Sequence, residues 1–277
     1  MTNSSFGGSR RFYDKVKKDL SWDRQINIKT PQEIEIMRQA GRINAEALAA
    51  ACAIIKPGAN TADLNAAAEG VLKKYGCYSP FKNYPGPYPY PASICASVNE
   101  ELVHGIPSPK RKLKAGDIIS LDCGTVFQGF VGDSAVTVAV GEISPLARRL
   151  LDVTEKSLEI GIAKMVAGNH LGDISAAIER YVEGHGFHVT RVYTGHGVGR
   201  DMHEGPQVPN YGKPGAGILL RNGMTIALEP MVLVGTPDTR VLADGWTVVS
   251  EDGSLTAHFE HSVAITPDGP QILTKID

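Results

Sequence analysis

Residues 58–76 and 168–186 carry one pattern twice, at a spacing of 110 positions. Gly58, Asp63, Ala66, Ala67, Glu69 and Gly76 fall on Gly168, Asp173, Ala176, Ala177, Glu179 and Gly186, while Leu64 and Leu72 fall on Ile174 and Val182. Six identities in nineteen positions point to an internal duplication, although glycine caps and alanine-rich helices raise the count. The period is too long for a solenoid unit. The chain is therefore constrained to build two similar halves.

Each half opens on two helices. Thr30-Pro31-Gln32-Glu33 is a capping box with proline at the first helical position. It predicts a helix to about Ile55, stopped at Lys56-Pro57-Gly58, and a second from Thr61 to about Tyr75, closed by Gly76. The second half repeats this, with a helix from Pro145 to near Gly168 and another over Gly172–Glu183. Strands are predicted at Ile118–Asp122, Phe130–Val140, His188–Tyr193, Met224–Leu228, Thr247–Val249 and His258–Thr266. The fold class is α+β, with helices covering one face of a largely antiparallel sheet. The expected halves are about 31–142 and 143–272, within one domain over 26–277.

A chain of 277 residues, 42% hydrophobic and 21% charged, can bury a sizeable core without disulfides. No apolar run reaches the ~18 residues that span a bilayer, and the start lacks a signal-peptide core. Membrane, collagen-like, disordered and conventionally secreted classes are excluded, and a cytoplasmic protein is expected. Cys52, Cys77, Cys95 and Cys123 form no CxxC pair, so reduced thiols are expected. The net charge of −2 gives no reason to expect DNA binding. Residues 1–25 are a polar extension, and residues 1–20 sum to +3: Arg10, Arg11, Lys15, Lys17 and Lys18 against Asp14 and Asp19. A loosely ordered tail is the plain reading, and a docking arm for something acidic is the sharper one.

Acidic residues stand where a core strand should be apolar. Asp122 ends Ile-Ile-Ser-Leu-Asp, and Asp133 sits within Phe-Val-Gly-Asp-Ser-Ala-Val. A buried carboxylate must be neutralised, hydrogen-bonded or bound to metal. A hairpin turning about Phe127-Gln128 would set Asp122 directly opposite Asp133, close enough to require a cation between them. Glu229 follows Thr-Ile-Ala-Leu, Glu260 begins an alternating strand, and His196 lies between glycines. Mostly oxygen donors with one imidazole and no thiolate suit divalent Mn, Fe, Co or Zn. His203-Glu204 lacks the second histidine of a thermolysin-type motif, and no GxSxG elbow occurs.

Taken together, SLDCG, GDSAVT, TGHGVG, ALEPM and HFEHSV, with NEELVHGIP around His104 and MHEGP around His203, closely resemble type I methionine aminopeptidases over residues 28–272. The resemblance implies the pita-bread fold, whose two halves are related by pseudo-symmetry, and removal of the N-terminal methionine from nascent chains ahead of a small second residue. It implies two divalent ions: Asp122 and Asp133 on one, His196 and Glu229 on the other, and Asp133 and Glu260 bridging. Glu229 would shuttle a proton for the attacking water, and His104 and His203 would position the substrate. Tyr90, Cys95, Met202 and Trp246 would line the methionine pocket. The stretch Tyr84–Pro91 is longer and richer in proline than the family's usual loop, and Met202 stands where phenylalanine is common.

The chain departs from neighbouring types. It has no cysteine-bearing zinc extension and no long insertion between His203 and Glu229, which sets aside the eukaryotic cytosolic and type II enzymes. Proline-specific aminopeptidases carry a large extra N-terminal domain, and non-catalytic relatives lose ligands that are all present here. A monomer is expected, contacting nascent chains and, through the basic tail, the ribosome surface, with no membrane partner.

Overall fold

The structure, a computed structural model, describes residues 25–276. Four helices are present there: α1 (Pro31–Cys52), α2 (Thr61–Lys74), α3 (Pro145–Ile162) and α4 (Leu171–Gly184). None is long and apolar enough to cross a membrane. The capping box forms: the Thr30 hydroxyl accepts from the Glu33 amide, and the Glu33 carboxylate accepts from the Thr30 amide at 2.9 Å. Helices α1 and α3 stop short of the glycines that were expected to close them, at Cys52 and Ile162, because one further irregular turn intervenes in each half.

The first half contributes β1 (Ile94–Val98), β2 (Glu101–Val103), β3 (Ile118–Phe127) and β4 (Phe130–Ala139). The second contributes β5 (His188–Val189), β6 (Thr194–Gly197), β7 (Glu204–Pro209), β8 (Thr225–Leu228) and β9 (Met231–Leu233). It continues with β10 (Thr239–Val241), β11 (Val248–Ser250), β12 (Thr256–His258), β13 (Glu260–Thr266) and β14 (Gly269–Ile272). The main sheet runs β1-β3-β4-β13-β8-β6-β7, with β14 paired to β13. Its centre is palindromic: β1, β3 and β4 on one side answer β6, β8 and β13 on the other. Two small sheets, β10-β11-β2 and β12-β9-β5, flank it.

The repeat is visible in the backbone. The residues before α2 and α4, Asn60 and His170, have φ/ψ of −104/154° and −102/156°. The residues after them, Tyr75 and His185, have −93/3° and −97/5°. Each half packs its own core. Ile43, Leu64 and Leu72 meet Ile94, Ile119 and Leu121 in the first, and Leu150, Ile174 and Val182 meet Ile226, Leu228 and Val263 in the second. Successive strand residues alternate faces, so while Ile119, Leu121 and Cys123 face the helices, Asp122 faces away from them.

The helix α1 approaches β4 very closely. A β-carbon on Gly132 would lie 2.6 Å from the Gly41 backbone, so only glycine fits beside Asp133. Asn44, fully buried on α1, ties the layers together: its amide donates to Ser134 Oγ at 2.8 Å and its carbonyl accepts from Thr125 Oγ1 at 2.7 Å.

Candidate metal centre and active site

The β3–β4 hairpin turns one position later than expected. Phe127 pairs with Phe130, and Gln128 and Gly129 form the turn with φ of 49° and 77°. A two-residue hairpin favours positive φ at both turn positions, which suits glycine at the second. Consequently Asp122 faces Ala135, and Asp133 faces Gly124. The two aspartates are diagonal neighbours, not direct partners. A register sum changed by two preserves parity, so both still share one sheet face.

Across the next strand, Glu260 pairs with Ala135. Asp122, Ala135 and Glu260 thus form one row over β3, β4 and β13, with a small residue in the middle. His196 on β6 pairs with Ala227 on β8, and Glu229 lies just past the end of β8. The cluster therefore straddles the junction where the two halves meet.

The donor atoms converge. His196 Nε2 lies 3.6 Å from Asp133 Oδ2 and 3.5 Å from Glu229 Oε1. Asp133, His196 and Glu260 each place one donor atom within 4.8 Å of the others. The Gly197 carbonyl accepts from His196 Nδ1 at 2.9 Å, which leaves the Nε2 lone pair free to bind a cation. Asp122 Oδ1, Asp133 Oδ1 and Glu260 Oε1 are buried with no hydrogen-bond partner. Orphaned carboxyl oxygens beside a correctly oriented imidazole fit a divalent cation.

Burial drives the electrostatics. It raises the Asp133 carboxyl to about 7 and pushes Asp122, Glu229 and Glu260 well above the usual range, with their neighbours' charges adding to the effect. Burial also lowers His104 and His196 to about 4 and His258 to about 3. His203 is held well below its usual value by burial, then by His196 and His104. A neutral imidazole is the form that binds metal.

A cavity of about 160 Å³ adjoins the cluster. Its walls include Asp122, Asp133, His196, Glu229 and Glu260, the two histidines His104 and His203, and all four expected pocket residues, Tyr90, Cys95, Met202 and Trp246. The Tyr90 and Trp246 rings meet edge to face at 5.2 Å. The Tyr90 hydroxyl donates to the Gly105 and Ile94 carbonyls, which points its ring into the wall. His104 has φ of 61°, a left-handed conformation that costs a residue with a β-carbon about 1–3 kcal/mol. The segment carrying Met202 and His203 is held from below. Glu204, 3% exposed, pairs with the buried Lys29 ammonium and accepts from the amides of Arg200 and Asp201.

Three contributors escaped sequence reasoning. Phe81 lines the cavity from the loop after α2. Tyr84 places its hydroxyl 2.8 Å from His203 Nδ1. His258, 1% exposed, points Nε2 at Glu229 Oε2 from 3.6 Å. His258 closes β12, and Glu260 opens β13 in another sheet after the break at Phe259, so strand alternation carried no signal for it.

Over residues 35–267 the sequence matches metallopeptidase family M24. A methionine aminopeptidase of Clostridium acetobutylicum is 53% identical over 249 residues, covering 90% of this chain and 98% of that protein. Methionine aminopeptidase 1 of Bacillus subtilis is 51% identical, covering 91% of this chain and 100% of that protein. The crystal structure of a Thermotoga maritima methionine aminopeptidase superposes with a TM-score of 0.88 at 48% identity, covering 91% of this chain and all of that one. The chain therefore belongs to metallopeptidase family M24 and, within it, to the methionine aminopeptidases. Its α+β architecture is the pita-bread fold of that family.

Proposed function

We propose that this enzyme removes the N-terminal methionine from nascent proteins and peptides, using two divalent ions held by Asp122, Asp133, His196, Glu229 and Glu260. One observation carries the reading: four inward-facing carboxylates and one imidazole meet at the wall of a cavity that is otherwise aromatic and sulfur-lined. Bound there, divalent ions of the Mn, Fe, Co or Zn type would polarise the scissile carbonyl and lower the pKa of water to near neutrality.

The chain's own residues supply the remainder. Glu229, at the cavity wall beside the other carboxylates, would accept the proton of the attacking water and return it to the leaving amine. His104 and His203, both held neutral, orient the peptide and donate hydrogen bonds to oxygen as charge develops. The Tyr84 hydroxyl fixes the His203 ring for that task. Tyr90, Cys95, Met202 and Trp246 accept the unbranched thioether, since aromatic faces and polarizable sulfur complement it. The Tyr84–Pro91 rim restricts space beyond the scissile bond, which favours a small second residue. The working unit is one domain over 26–277 acting as a cytoplasmic monomer, with residues 1–25 as an extension.

A peptide panel tests the specificity. Met-Ala and Met-Gly peptides should be cleaved, Met-Lys and Met-Phe barely, and Leu-Ala much less than Met-Ala. Comparable kcat/KM across the panel would overturn the pocket assignment.

A further inference from the structure

Lys29 and Glu204 form an ion pair shut away from solvent, with side chains 5% and 3% exposed. Neither lines the cavity. Taking two charges out of water costs about as much as their attraction returns, so such a pair is weak evidence of a stabilising device. Its hydrogen bonds give it another use. Lys29 Nζ donates to Glu204 Oε2 and to the Asn27 carbonyl at 3.1 Å, and the Lys29 amide donates to the Gly223 carbonyl at 2.8 Å. Glu204 Oε1 is left for a different task. It accepts from the Arg200 amide at 2.8 Å and the Asp201 amide at 3.3 Å.

Those two amides belong to the excursion between β6 and β7. Gly197 closes β6 and pairs with Glu204, which opens β7, after a register shift at His196. Residues 198–203 leave the sheet there, and the last two, Met202 and His203, form part of the cavity wall. A β-carbon on Gly199 would stand 2.5 Å from Glu204 Oε1 and 2.7 Å from Lys29 Nζ, so glycine lets the excursion fold directly onto the pair. The Gly199 carbonyl accepts from the Val131 amide at 2.7 Å, which ties the same turn to β4 two residues before Asp133. His203 is held at both ends: Tyr84 meets its ring at Nδ1, and Glu204, its neighbour in sequence, closes its backbone.

We propose that Lys29 and Glu204 are positioning residues for His203. The ammonium holds the carboxylate, and the carboxylate holds the backbone that aims the imidazole at the peptide oxygen. This deepens the role of His203 given above and rests on it. Neither residue touches the substrate or belongs to the five-ligand set, so their loss acts on the chemical step through His203.

Turnover of a Met-Ala-Ser peptide by the full-length, Co²⁺-loaded enzyme tests this with Lys29→Met and Glu204→Gln, singly and together, each also made in a His203→Ala background. Each single variant should lose on the order of 10–100-fold in kcat, with KM within about twofold of wild type and Co²⁺ binding unchanged. In Glu204→Gln the one amide oxygen is contested by the ammonium and the two backbone amides. The paired variant ends that contest and should be more active than either single one. In the His203→Ala background the same changes should cost less than about twofold, because residues acting through one group do not add. Glu204→Gln leaves the ammonium its Asn27 partner, so it carries the comparison by itself if Lys29→Met does not fold. Losses that multiply in full with that of His203→Ala, or wild-type kcat in the single variants, would overturn the positioning role. A paired variant no more active than the single ones would overturn the link from ammonium to carboxylate. Unchanged kcat in His203→Ala itself would instead overturn the role of His203, and this proposal with it.

Discussion

Asp133 sits where three demands coincide. It is 1% exposed, its Oδ2 lies 3.6 Å from His196, and its Oδ1 has no partner. Asp133→Ala or Glu260→Ala should therefore abolish nearly all metal binding and lower kcat/KM by at least ~10³-fold. Elemental analysis of the purified variants together with peptide turnover checks this, and near-wild-type activity in either would sink the ligand assignment. The titrating groups also make stability depend on pH in a defined direction. Below about pH 6.5 the buried carboxyls and buried histidines oppose each other, because folding raises the first and lowers the second. Above about 6.5 the histidines are neutral in both states and drop out. There the folded metal-free protein still holds carboxyl protons that the unfolded chain has released, so its stability should fall as pH rises from about 6.5 to 8.5. Divalent ions take the place of those protons. The gain in Tm on adding metal should thus be larger at pH 8.5 than at 6.5, and an equal gain at both would contradict the account. At this scale the five ligands were legible because carboxylates interrupt apolar strand patterns. His258 was not, because an imidazole in a strand carries no such penalty and reads as ordinary core.

At the level of elements, the metal face depends on how tightly α1 seats on β4. Gly132 faces Gly41 across that contact, while Asp133 faces the site. Gly132→Ala places a methyl 2.6 Å from helix backbone, so α1 or β4 must shift. Overpacking of this kind costs about 1–3 kcal/mol or more, and at this protein's size each kcal/mol moves Tm by roughly 2–4 °C. The variant should melt roughly 2–12 °C lower, and Co²⁺ affinity should fall because Asp133 moves with its strand. Calorimetry and metal titration would show this, and an unchanged Tm would mean the contact is softer than drawn. Helices were legible from caps and prolines: the Thr30 box and the starts at Thr61 and Pro145 stand where the residues place them. Their ends were not, since glycine closes the chain a turn beyond the last helical hydrogen bond. Strands β1, β2, β6, β7, β9, β10 and β14 passed unread: glycine and proline break the period of β6 and β7, β1 is buried throughout and does not alternate, and β2, β9, β10 and β14 span only three or four residues, so tertiary pairing makes them strands. The hairpin register missed by one position because sequence shows the turn residues without showing which two of them take positive φ.

For the whole molecule, the duplication explains why the chemistry lies at the centre. The first half offers Asp122 and Asp133 from within β3 and β4, the second offers His196, Glu229 and Glu260 from β6, the end of β8 and the start of β13, and neither half alone holds the complete ligand set. The basic run in residues 1–20 lies outside the described residues. Deleting residues 1–24 should leave kcat/KM on short peptides essentially unchanged, because the Thr30 cap and every cavity residue remain. If the tail's +3 adds phosphate contacts, ribosome co-sedimentation of the truncated form should weaken at low salt and match the full chain at high salt. Equal co-sedimentation at low salt would leave the tail without a docking role. The central claim is that methionine removal occurs at this carboxylate–imidazole cluster and requires metal there. Free methionine released from a Met-Ala-Ser peptide, followed as Co²⁺ or Mn²⁺ is added back to chelator-treated enzyme, addresses it most directly. The account predicts no release without metal, and a rise that is complete by two equivalents. Steady methionine release in excess chelator, or none at any metal level, would contradict it.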